Sequence, residues 1–234
     1  MIMDREKLFE EFLRTCRHNE QICGLGNPCA NILIIGQEPY ISEEFEANDV
    51  EKYKDYLEKN YTSCRNNGVY NIRDNNKTWS NYQLLIEKVY KEEYQNNKHD
   101  ATKYDFEEFA YTSELSSWPR KKHSYIKAKP FINKRLILFK DSDYIKSFPV
   151  IILACGCYIK NDDKLREIDN TFHVEFCKEY GSKQSKNRFW THVDKSDPRK
   201  LVIHTRQFSN GISNDLIKEM ANVIRNHLTK LGLI

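Results

Sequence analysis

The sequence predicts one α/β domain of three layers, with a central, mainly parallel four-stranded sheet between two layers of helices. Short aliphatic runs alternate with longer segments of helical periodicity, as in proteins built from βα units. The 234 residues suffice for one large domain with a sizeable core. Because no internal repeat and no linker rich in Ser, Gly or Pro divides the chain, we expect residues 1–234 to form a single domain.

Hydrophobic patterns place the individual elements. Ile32 to Ile35 are four consecutive aliphatic residues, which suits a strand that is covered on both faces. The other predicted strands cover residues 109–112, 149–155 and 201–204. Helices are predicted at residues 4–18, 50–60, 79–94, 133–147 and 216–231. The sections 64–77, 113–125 and 158–199 are polar and carry no clear periodicity, so they are predicted as connecting segments.

The composition narrows the functional classes. Hydrophobic residues make up 39% and charged residues 30% of the chain, which is typical of a globular protein with a polar surface. No apolar run approaches the roughly 18 residues of a membrane span, and the charged N-terminus does not resemble a signal peptide. We therefore expect a cytoplasmic protein that makes no membrane contact.

The seven cysteines form no Cys-x-x-Cys pair, which argues against a zinc ribbon or an iron–sulfur cluster. We expect free thiols in a reducing compartment, and neither a metal nor another cofactor. The formal net charge of +3 is too small to identify a nucleic-acid partner and does not exclude one.

The first predicted strand runs directly into the polar turn Gly36-Gln37-Glu38-Pro39-Tyr40. Gly36 permits a sharp turn, and Pro39 biases Glu38 towards an extended backbone. A carboxylate is thus expected at the carboxyl end of a central strand, where open α/β sheets place their ligand sites. A helix cap or a solvated turn is the alternative role for Glu38.

Three further polar loops follow the other strands, at residues 112–117, 155–158 and 204–209. Because the carboxyl ends of parallel strands lie side by side, we expect these loops and the Glu38 turn to converge.

The motif Gly-Gln-Glu-Pro-Tyr resembles the Gly-Gln-Asp-Pro-Tyr water-activating motif of uracil-DNA glycosylases. Residues 204–209 are similar, in their first and last residues, to the His-Pro-Ser-Pro-Leu-Ser loop of that family, and residues 155–157 lie where the family has Trp-Gly-Ser. Residues 79–84 are similar to the family's Pro-Ser-Leu-x-Asn-Ile segment. The order and spacing agree from about residue 30 to the C-terminus, so the chain resembles a divergent member of this superfamily.

The resemblance implies a monofunctional DNA glycosylase that hydrolyses an N-glycosidic bond, with Glu38 and His204 as its catalytic residues. Glu38 would orient a water molecule and stabilise the cationic sugar. A neutral His204 would donate a hydrogen bond to a carbonyl oxygen of the departing base. Without the resemblance, a histidine at the end of a strand is more often structural.

The resemblance also implies a set of substrate-binding residues. Tyr40 would close the pocket over the base, and Tyr70 is the weak match for the ring on which the base stacks. The family's uracil-reading Asn is absent, and Thr112 or Ser113 lies near its place, although a hydroxyl cannot present the paired donor and acceptor of an amide. The expected substrate-binding residues are Gly36, Gln37, Pro39, Tyr40, Tyr70, Thr112 and Ser113.

For DNA, Phe208 matches the inserted wedge that helps to expel a base from the stack. Phosphate contacts are expected near the remaining loop residues, through side chains or backbone N–H groups. The expected DNA-binding residues are Gly156, Cys157, Arg206, Phe208 and Ser209. Phe208 could equally be buried in the domain, and the basic run at residues 120–123 is most simply a solvated loop.

Three hypotheses follow. The first is a glycosylase-like enzyme that excises a deaminated or damaged base, such as uracil, from single- or double-stranded DNA and acts as a monomer. The second is a catalytically inactive module of the same fold that binds nucleic acid or a nucleobase. The third is hydrolysis of a small nucleoside or an unrelated glycoside, for which the sequence offers no evident second carboxylate.

Overall fold

We describe the fold from a computed structural model of the chain. The described residues are 4–42, 45, 49–65, 70–71, 76–91, 103–122, 124–161, 166–181, 187–209 and 211–234, with only the backbone of residues 70 and 71. Parts of the polar section 41–77 and His123 of the basic run therefore lie outside the described residues.

Within these ranges the chain forms nine strands and seven α-helices. The helices are α1 (Arg5–His18), α2 (Val50–Ser63), α3 (Lys77–Val89), α4 (Tyr125–Asp141), α5 (Asp143–Lys146), α6 (Glu167–Phe172) and α7 (Asn214–Lys230). The strands are β1 (Leu25–Gly26), β2 (Ile32–Gly36), β3 (Tyr70–Asn71), β4 (Lys103–Tyr104), β5 (Ala110–Glu114), β6 (Val150–Leu153), β7 (Glu175–Gly181), β8 (Arg188–Val193) and β9 (Leu201–Thr205). Two 3₁₀ turns cover Phe106–Glu108 and Gly156–Tyr158.

The main sheet has seven strands in the order β1-β5-β2-β6-β9-β8-β7, so the predicted number of four is wrong. Its centre is formed by the four strands that the sequence predicts, and β5, β2, β6 and β9 run parallel to one another. The flanking strands β1, β8 and β7 are antiparallel to their neighbours. The strands β3 and β4 form a separate two-stranded sheet.

The prediction missed β7 and β8, which lie in the polar section 158–199. Five of the seven residues of β7 are exposed, since it is the edge strand, and they show no regular alternation of buried and exposed positions. The helix predicted at residues 133–147 was also placed too late. In the structure α4 begins at Tyr125 and includes Pro130 in its second turn, whereas α5 is a separate short helix capped by Ser142.

The alternating residues of β2 bury opposite faces of the sheet. Leu33 and Ile35 belong to a core formed with the apolar faces of α1, α2 and α4. Ile32 and Ile34 belong to a second core, formed with α3 and α7. Helices therefore pack on both faces of the sheet, the mixed α/β class is confirmed, and the carboxyl ends of the four parallel strands lie along one edge of the sheet. None of the described helices combines the length and apolar character needed to cross a bilayer.

Candidate functional site

The four loops that follow the parallel strands converge, as predicted. The Gln37 side-chain amide donates a hydrogen bond to the Cys155 carbonyl oxygen (3.0 Å), which joins the loops after β2 and β6. The backbone N–H of Ser116 donates to the Gln37 carbonyl oxygen (2.8 Å), which adds the loop after β5. A side chain at Gly156 would contact Arg206, so the loop after β9 completes the group.

Glu38 lies in the turn after β2, and only 6% of its side chain is exposed. Its Oε2 lies 3.7 Å from Nε of Arg120, whose side chain is 7% exposed. The Tyr158 hydroxyl also donates a hydrogen bond to the Glu38 carboxylate. Burial, together with the charge of Glu38 and this hydrogen bond, raises the pKa of Tyr158. The carboxylate is thus held between a guanidinium and a phenol.

Backbone hydrogen bonds position Arg120 beside the Glu38 turn. Its N–H donates to the Pro39 carbonyl oxygen (2.9 Å), and its carbonyl oxygen accepts from the Ile41 N–H (3.3 Å). This short parallel bridge brings the loop after β5 alongside the Glu38 turn. The interpretation of the basic run as a solvated loop is wrong at Arg120, although Lys121 and Lys122 are exposed.

The structure adds a second carboxyl group, that of Glu114, which no sequence pattern indicated. Glu114 is the last residue of β5 and pairs with Gly36 of β2. Its carboxyl group lies directly over the Cα of Gly36, where any Cβ would displace it. Gly36 is therefore needed less for a sharp turn than for the space that this carboxyl group occupies.

The Glu114 carboxyl group is enclosed and lies within electrostatic range of Glu38. Burial, and then the negative charge of Glu38, raise the pKa of Glu114 to about 8, with a partial offset from the positive charge of Arg135. Its Oε2 is fully buried and has no hydrogen-bond partner among the described residues. The residue as a whole is half-buried, so other atoms of Glu114 reach the surface.

A buried cation, Arg135 of α4, lies next to Glu114 and is fully enclosed. Its Nε donates to the Glu114 carbonyl oxygen (3.1 Å), Nη1 to the Ile22 carbonyl oxygen (2.8 Å) and Nη2 to Oγ of Ser113 (2.7 Å). These bonds satisfy most of the donors of the guanidinium and attach α4 to the end of β5.

The Thr112 and Ser113 hydroxyls do not line the site. Oγ1 of Thr112 donates to the Leu25 carbonyl oxygen (3.1 Å), and Oγ of Ser113 donates to the Cys23 carbonyl oxygen (3.0 Å). Both hydroxyls therefore stabilise the contact between β5 and the chain around β1. This corrects the expectation that one of them takes the place of a base-reading amide, because the side chain at the end of the strand is that of Glu114.

His204 is 5% exposed, and its ring is stacked on that of Trp190 (centroids 5.3 Å apart). Its Nε2 lies 2.8 Å from the Gly156 carbonyl oxygen, and its Nδ1 lies 3.4 Å from Nδ2 of Asn161. Since a carbonyl oxygen only accepts, Nε2 carries the proton and Nδ1 accepts from the amide. Burial lowers the pKa of His204 to about 4, so the neutral ring predominates near pH 7. Both ring nitrogens are already used by the fold.

Phe208 does not lie at the surface as a wedge would. Its side chain is fully buried and packs on the ring of Tyr82, with ring centroids 5.1 Å apart. Nδ2 of Asn81 donates to its carbonyl oxygen (2.7 Å), which fixes the loop on α3. The alternative interpretation, a side chain buried in the domain, is the one that fits the structure.

The other predicted residues lie around the rim of the converging loops. Tyr40 is 75% exposed, and Cys157 is also exposed. Arg206 and Ser209 are half-buried. The backbone of Tyr70 belongs to β3, outside the main sheet, and its side chain lies outside the described residues.

Cavities of about 300 Å³ and 270 Å³ lie elsewhere in the molecule, one between α1 and α5 and the other beside α6 and β7. Neither is lined by Glu38, Glu114 or His204. Among the described side chains, no group of three or more His, Cys, Asp or Glu residues is arranged to hold a metal ion. Comparison with known protein families and with curated proteins found no family model and no relative that matches the chain.

Proposed function

We propose that this chain is a DNA glycosylase-like hydrolase that removes a deaminated base, such as uracil, with Glu38 as its water-orienting carboxylate. The observation that supports the proposal is the convergence of the four strand-end loops beside the turn that carries Glu38, at the carboxyl edge of the parallel sheet. A carboxylate at this edge is placed where open α/β sheets bind their ligands. The resemblance of residues 36–40 to the glycosylase motif points to the same reaction.

In the proposed reaction, water attacks the anomeric carbon of the sugar while the bond from that carbon to the base nitrogen breaks. The base leaves with the bonding electron pair, and the Glu38 carboxylate accepts a proton from the water. The transition state carries positive charge on the sugar, which the carboxylate stabilises. Arg120 and Tyr158 hold Glu38 in one orientation, which such a step requires.

DNA is the proposed substrate because the rim carries basic and aromatic side chains. Lys121, Lys122 and Lys160 are exposed on two of the converging loops, and Arg206 is half-buried on a third. Such side chains contact phosphates without reading sequence. The exposed ring of Tyr40 could stack on an unpaired base. A monomeric state and a cytoplasmic location are part of the same proposal.

The proposal is tested with purified protein on end-labelled oligonucleotides that contain one uracil or one hypoxanthine, both single-stranded and paired, followed by alkaline cleavage at abasic sites. We expect strand breaks at the modified base. The rate of base excision should be lower by at least about a hundredfold in Glu38→Gln. Glu108→Gln, which removes an exposed carboxylate near the opposite end of β5, is the matched control and should retain full activity. No cleavage by the unmodified protein, or equal cleavage by Glu38→Gln, would contradict the proposal.

Binding without cleavage is the second candidate, and two observations favour it. The Nε2–H of His204 is occupied by the Gly156 carbonyl oxygen, and Phe208 is buried. Both groups would have to leave their present partners to act on a flipped base. Salt-sensitive binding of DNA with no turnover would support this candidate, whereas turnover that depends on Glu38 would exclude it.

Glu114 also supplies the second carboxylate that hydrolysis of a small nucleoside requires. The same assay therefore includes free deoxyuridine and deoxyinosine. Cleavage of the oligonucleotides but not of the nucleosides supports the DNA-directed proposal. The reverse result would replace it with a nucleoside hydrolase.

A further inference from the structure

We propose that the outer face of α4 binds one groove of double-stranded DNA, with two rows of lysines on the phosphates of the two strands. The inference rests on the proposed function, from which DNA is taken as the partner, but it concerns a surface outside the strand-end loops. The charge of the chain is concentrated there. Residues 115–140 contain six lysines, two arginines and no acidic residue, so they carry a formal charge of +8, whereas the whole chain carries only +3.

The helix α4 presents four of these lysines to solvent in two rows. Its inner face is buried in the core that it forms with α1 and α2. At 3.6 residues per turn, the exposed Lys127 and Lys134 lie on one flank of the outer face, and the exposed Lys129 and Lys140 lie on the other. Within the described part of the chain, none of the four forms an ion pair with a carboxylate, so their charges are available to a partner.

An uncharged ridge runs between the two rows. It consists of Ile126, Pro130, Asn133 and Ile137, which follow one another at helical spacing. Ile126 is 85% and Ile137 is 65% exposed. A helix with its side chains is about 10–12 Å across, and the major groove of B-DNA is about 12 Å wide. The ridge can therefore enter the groove while each row of lysines meets the phosphates along one of its walls.

This basic surface is continuous with the loops around Glu38. Nη2 of Arg120 donates to the Lys127 carbonyl oxygen (2.9 Å), while Nε of the same guanidinium lies 3.7 Å from Oε2 of Glu38. The exposed Lys121 and Lys122 lie between this contact and the start of the helix. A duplex that is held at the rim of the candidate site can therefore extend onto the outer face of α4.

An anionic membrane is the competing partner for a basic helix, and the packing of α4 disfavours it. A helix that lies in a membrane interface inserts a broad apolar face. The broad apolar face of α4 is packed in the protein core, and its exposed ridge offers two isoleucines that are separated by Pro130 and Asn133. The charges of the lysine rows, rather than apolar area, therefore dominate this surface, as in binding to phosphates.

The experiment measures binding of the full chain to a short, fluorescently labelled duplex without modified bases, by anisotropy at several salt concentrations. The test variant carries Lys127→Gln, Lys129→Gln, Lys134→Gln and Lys140→Gln. We expect it to bind at least about tenfold more weakly than the unmodified protein at about 0.1 M salt. The slope of log K against log salt should become shallower by about 3, since each lost phosphate contact contributes roughly 0.9.

The matched control removes the same number of charges from the helices on the opposite face of the sheet. It carries Lys77→Gln, Lys91→Gln, Lys218→Gln and Lys230→Gln, which replace exposed lysines in or next to α3 and α7. This variant should bind as the unmodified protein does. Because the two variants have the same net charge, a general electrostatic attraction would weaken binding equally in both. Circular dichroism and urea denaturation establish that both variants are folded.

Three results would overturn the inference. The first is that the unmodified protein does not bind the duplex at low salt, and the second is that both variants weaken binding equally. The third is that the α4 variant binds the duplex normally but loses binding to vesicles of phosphatidylcholine and phosphatidylserine, since the partner would then be an anionic membrane. Binding of one strand alone should depend less on the α4 lysines, and equal dependence would exclude the groove.

The cleavage assay distinguishes this inference from the proposed function. Cleavage that depends on Glu38, together with duplex binding that does not respond to the α4 lysines, would refute the inference and leave the hydrolase. Duplex binding that depends on the α4 lysines, without any cleavage at a modified base, would refute the hydrolase and leave a DNA-binding module with the same surface.

Discussion

Two corners of the sheet edge differ in how completely the fold uses their polar groups. The carboxylate corner consists of Glu38, Glu114, Arg120 and Tyr158. The histidine corner consists of His204, Gly156, Asn161 and Trp190.

In the histidine corner, both ring nitrogens of His204 have partners, and its ring face is covered by Trp190. In the carboxylate corner, two acidic groups lie close together, and Oε2 of Glu114 has no partner among the described residues. Folding alone explains the contacts of the histidine corner. The carboxylate corner, in contrast, retains two neighbouring acidic groups that repel each other when both are ionised. A buried polar atom without a partner in the fold needs an explanation such as a functional role, so the comparison favours the carboxylate corner as the candidate site.

The pH dependence of stability should have opposite signs at the two corners. The folded-state pKa of Glu114, about 8, lies above its ordinary value of 4.5. The folded-state pKa of His204, about 4, lies below its ordinary value of 6.5. Glu114 therefore lowers stability as the pH rises from about 4.5 to 8, and His204 lowers it as the pH falls from about 6.5 to 4.

The largest expected effect comes from the cation that supports the carboxylate corner. Arg135→Met removes the donors to the carbonyl oxygens of Ile22 and Glu114 and to Oγ of Ser113, and leaves these buried acceptors without partners. We expect the free energy of unfolding to fall by about 3–5 kcal/mol. Urea denaturation measures it. Lys134→Met, which replaces an exposed cation on the same helix, should change it by less than about 0.5 kcal/mol.

The next effect tests whether Glu114 is unfavourable for the fold when it is ionised. Glu114→Gln cannot ionise, so it should lack the loss of stability between about pH 4.5 and 8. At about pH 9 we expect this variant to be more stable than the unmodified protein, by on the order of 3 kcal/mol, and the two should be nearly equal at about pH 5. Urea denaturation across this range measures the difference. Parallel curves for the two proteins would show that Glu114 is not electrostatically strained.

A smaller effect of the opposite sign is expected at the histidine corner. His204→Phe keeps the ring but leaves the Gly156 carbonyl oxygen without its donor, so stability near pH 7 should fall by about 2 kcal/mol. The loss of stability below about pH 6 should also become shallower, because the variant cannot take up this proton. His227→Phe is the matched control, because His227 also bonds a backbone carbonyl oxygen, that of Arg199, but in an exposed position. If His204→Phe were no less stable than this control, the histidine corner would not be structural.

The sequence was sufficient to place the carboxylate corner but not to complete it. The aliphatic run Ile32 to Ile35 favours a buried strand, and the convergence of loops follows from parallel strands having a common edge. Glu114 was missed because the polar residues Thr112 and Ser113 precede it, so no hydrophobic pattern marked the end of β5. Its distinguishing property, the position over Gly36, exists only after β2 and β5 pair.

For Arg120 and Phe208 too, the local sequence pattern did not predict the surroundings of the side chain. A cation within a basic run is typical of a solvated loop, and only the bridge between Tyr40 and Arg120 brings this one to Glu38. An aromatic residue in a polar loop has no periodicity that distinguishes a surface role from burial, and packing on Tyr82 decides the case for Phe208. Local patterns predicted the four parallel strands, whereas contacts between distant loops needed the fold.

The smallest effect concerns the hydroxyl that holds Glu38. Tyr158→Phe removes a donor to the Glu38 carboxylate while the ring remains in the core, so we expect a loss of about 1 kcal/mol near pH 7 in urea denaturation. Tyr125→Phe changes the neighbouring ring, 5.7 Å away between centroids, and should have a smaller effect. Because the hydroxyl orients Glu38, Tyr158→Phe should also slow the proposed cleavage more than it weakens base binding. If cleavage and base binding decreased equally, Tyr158 would maintain the structure of the carboxylate corner and would not specifically orient Glu38.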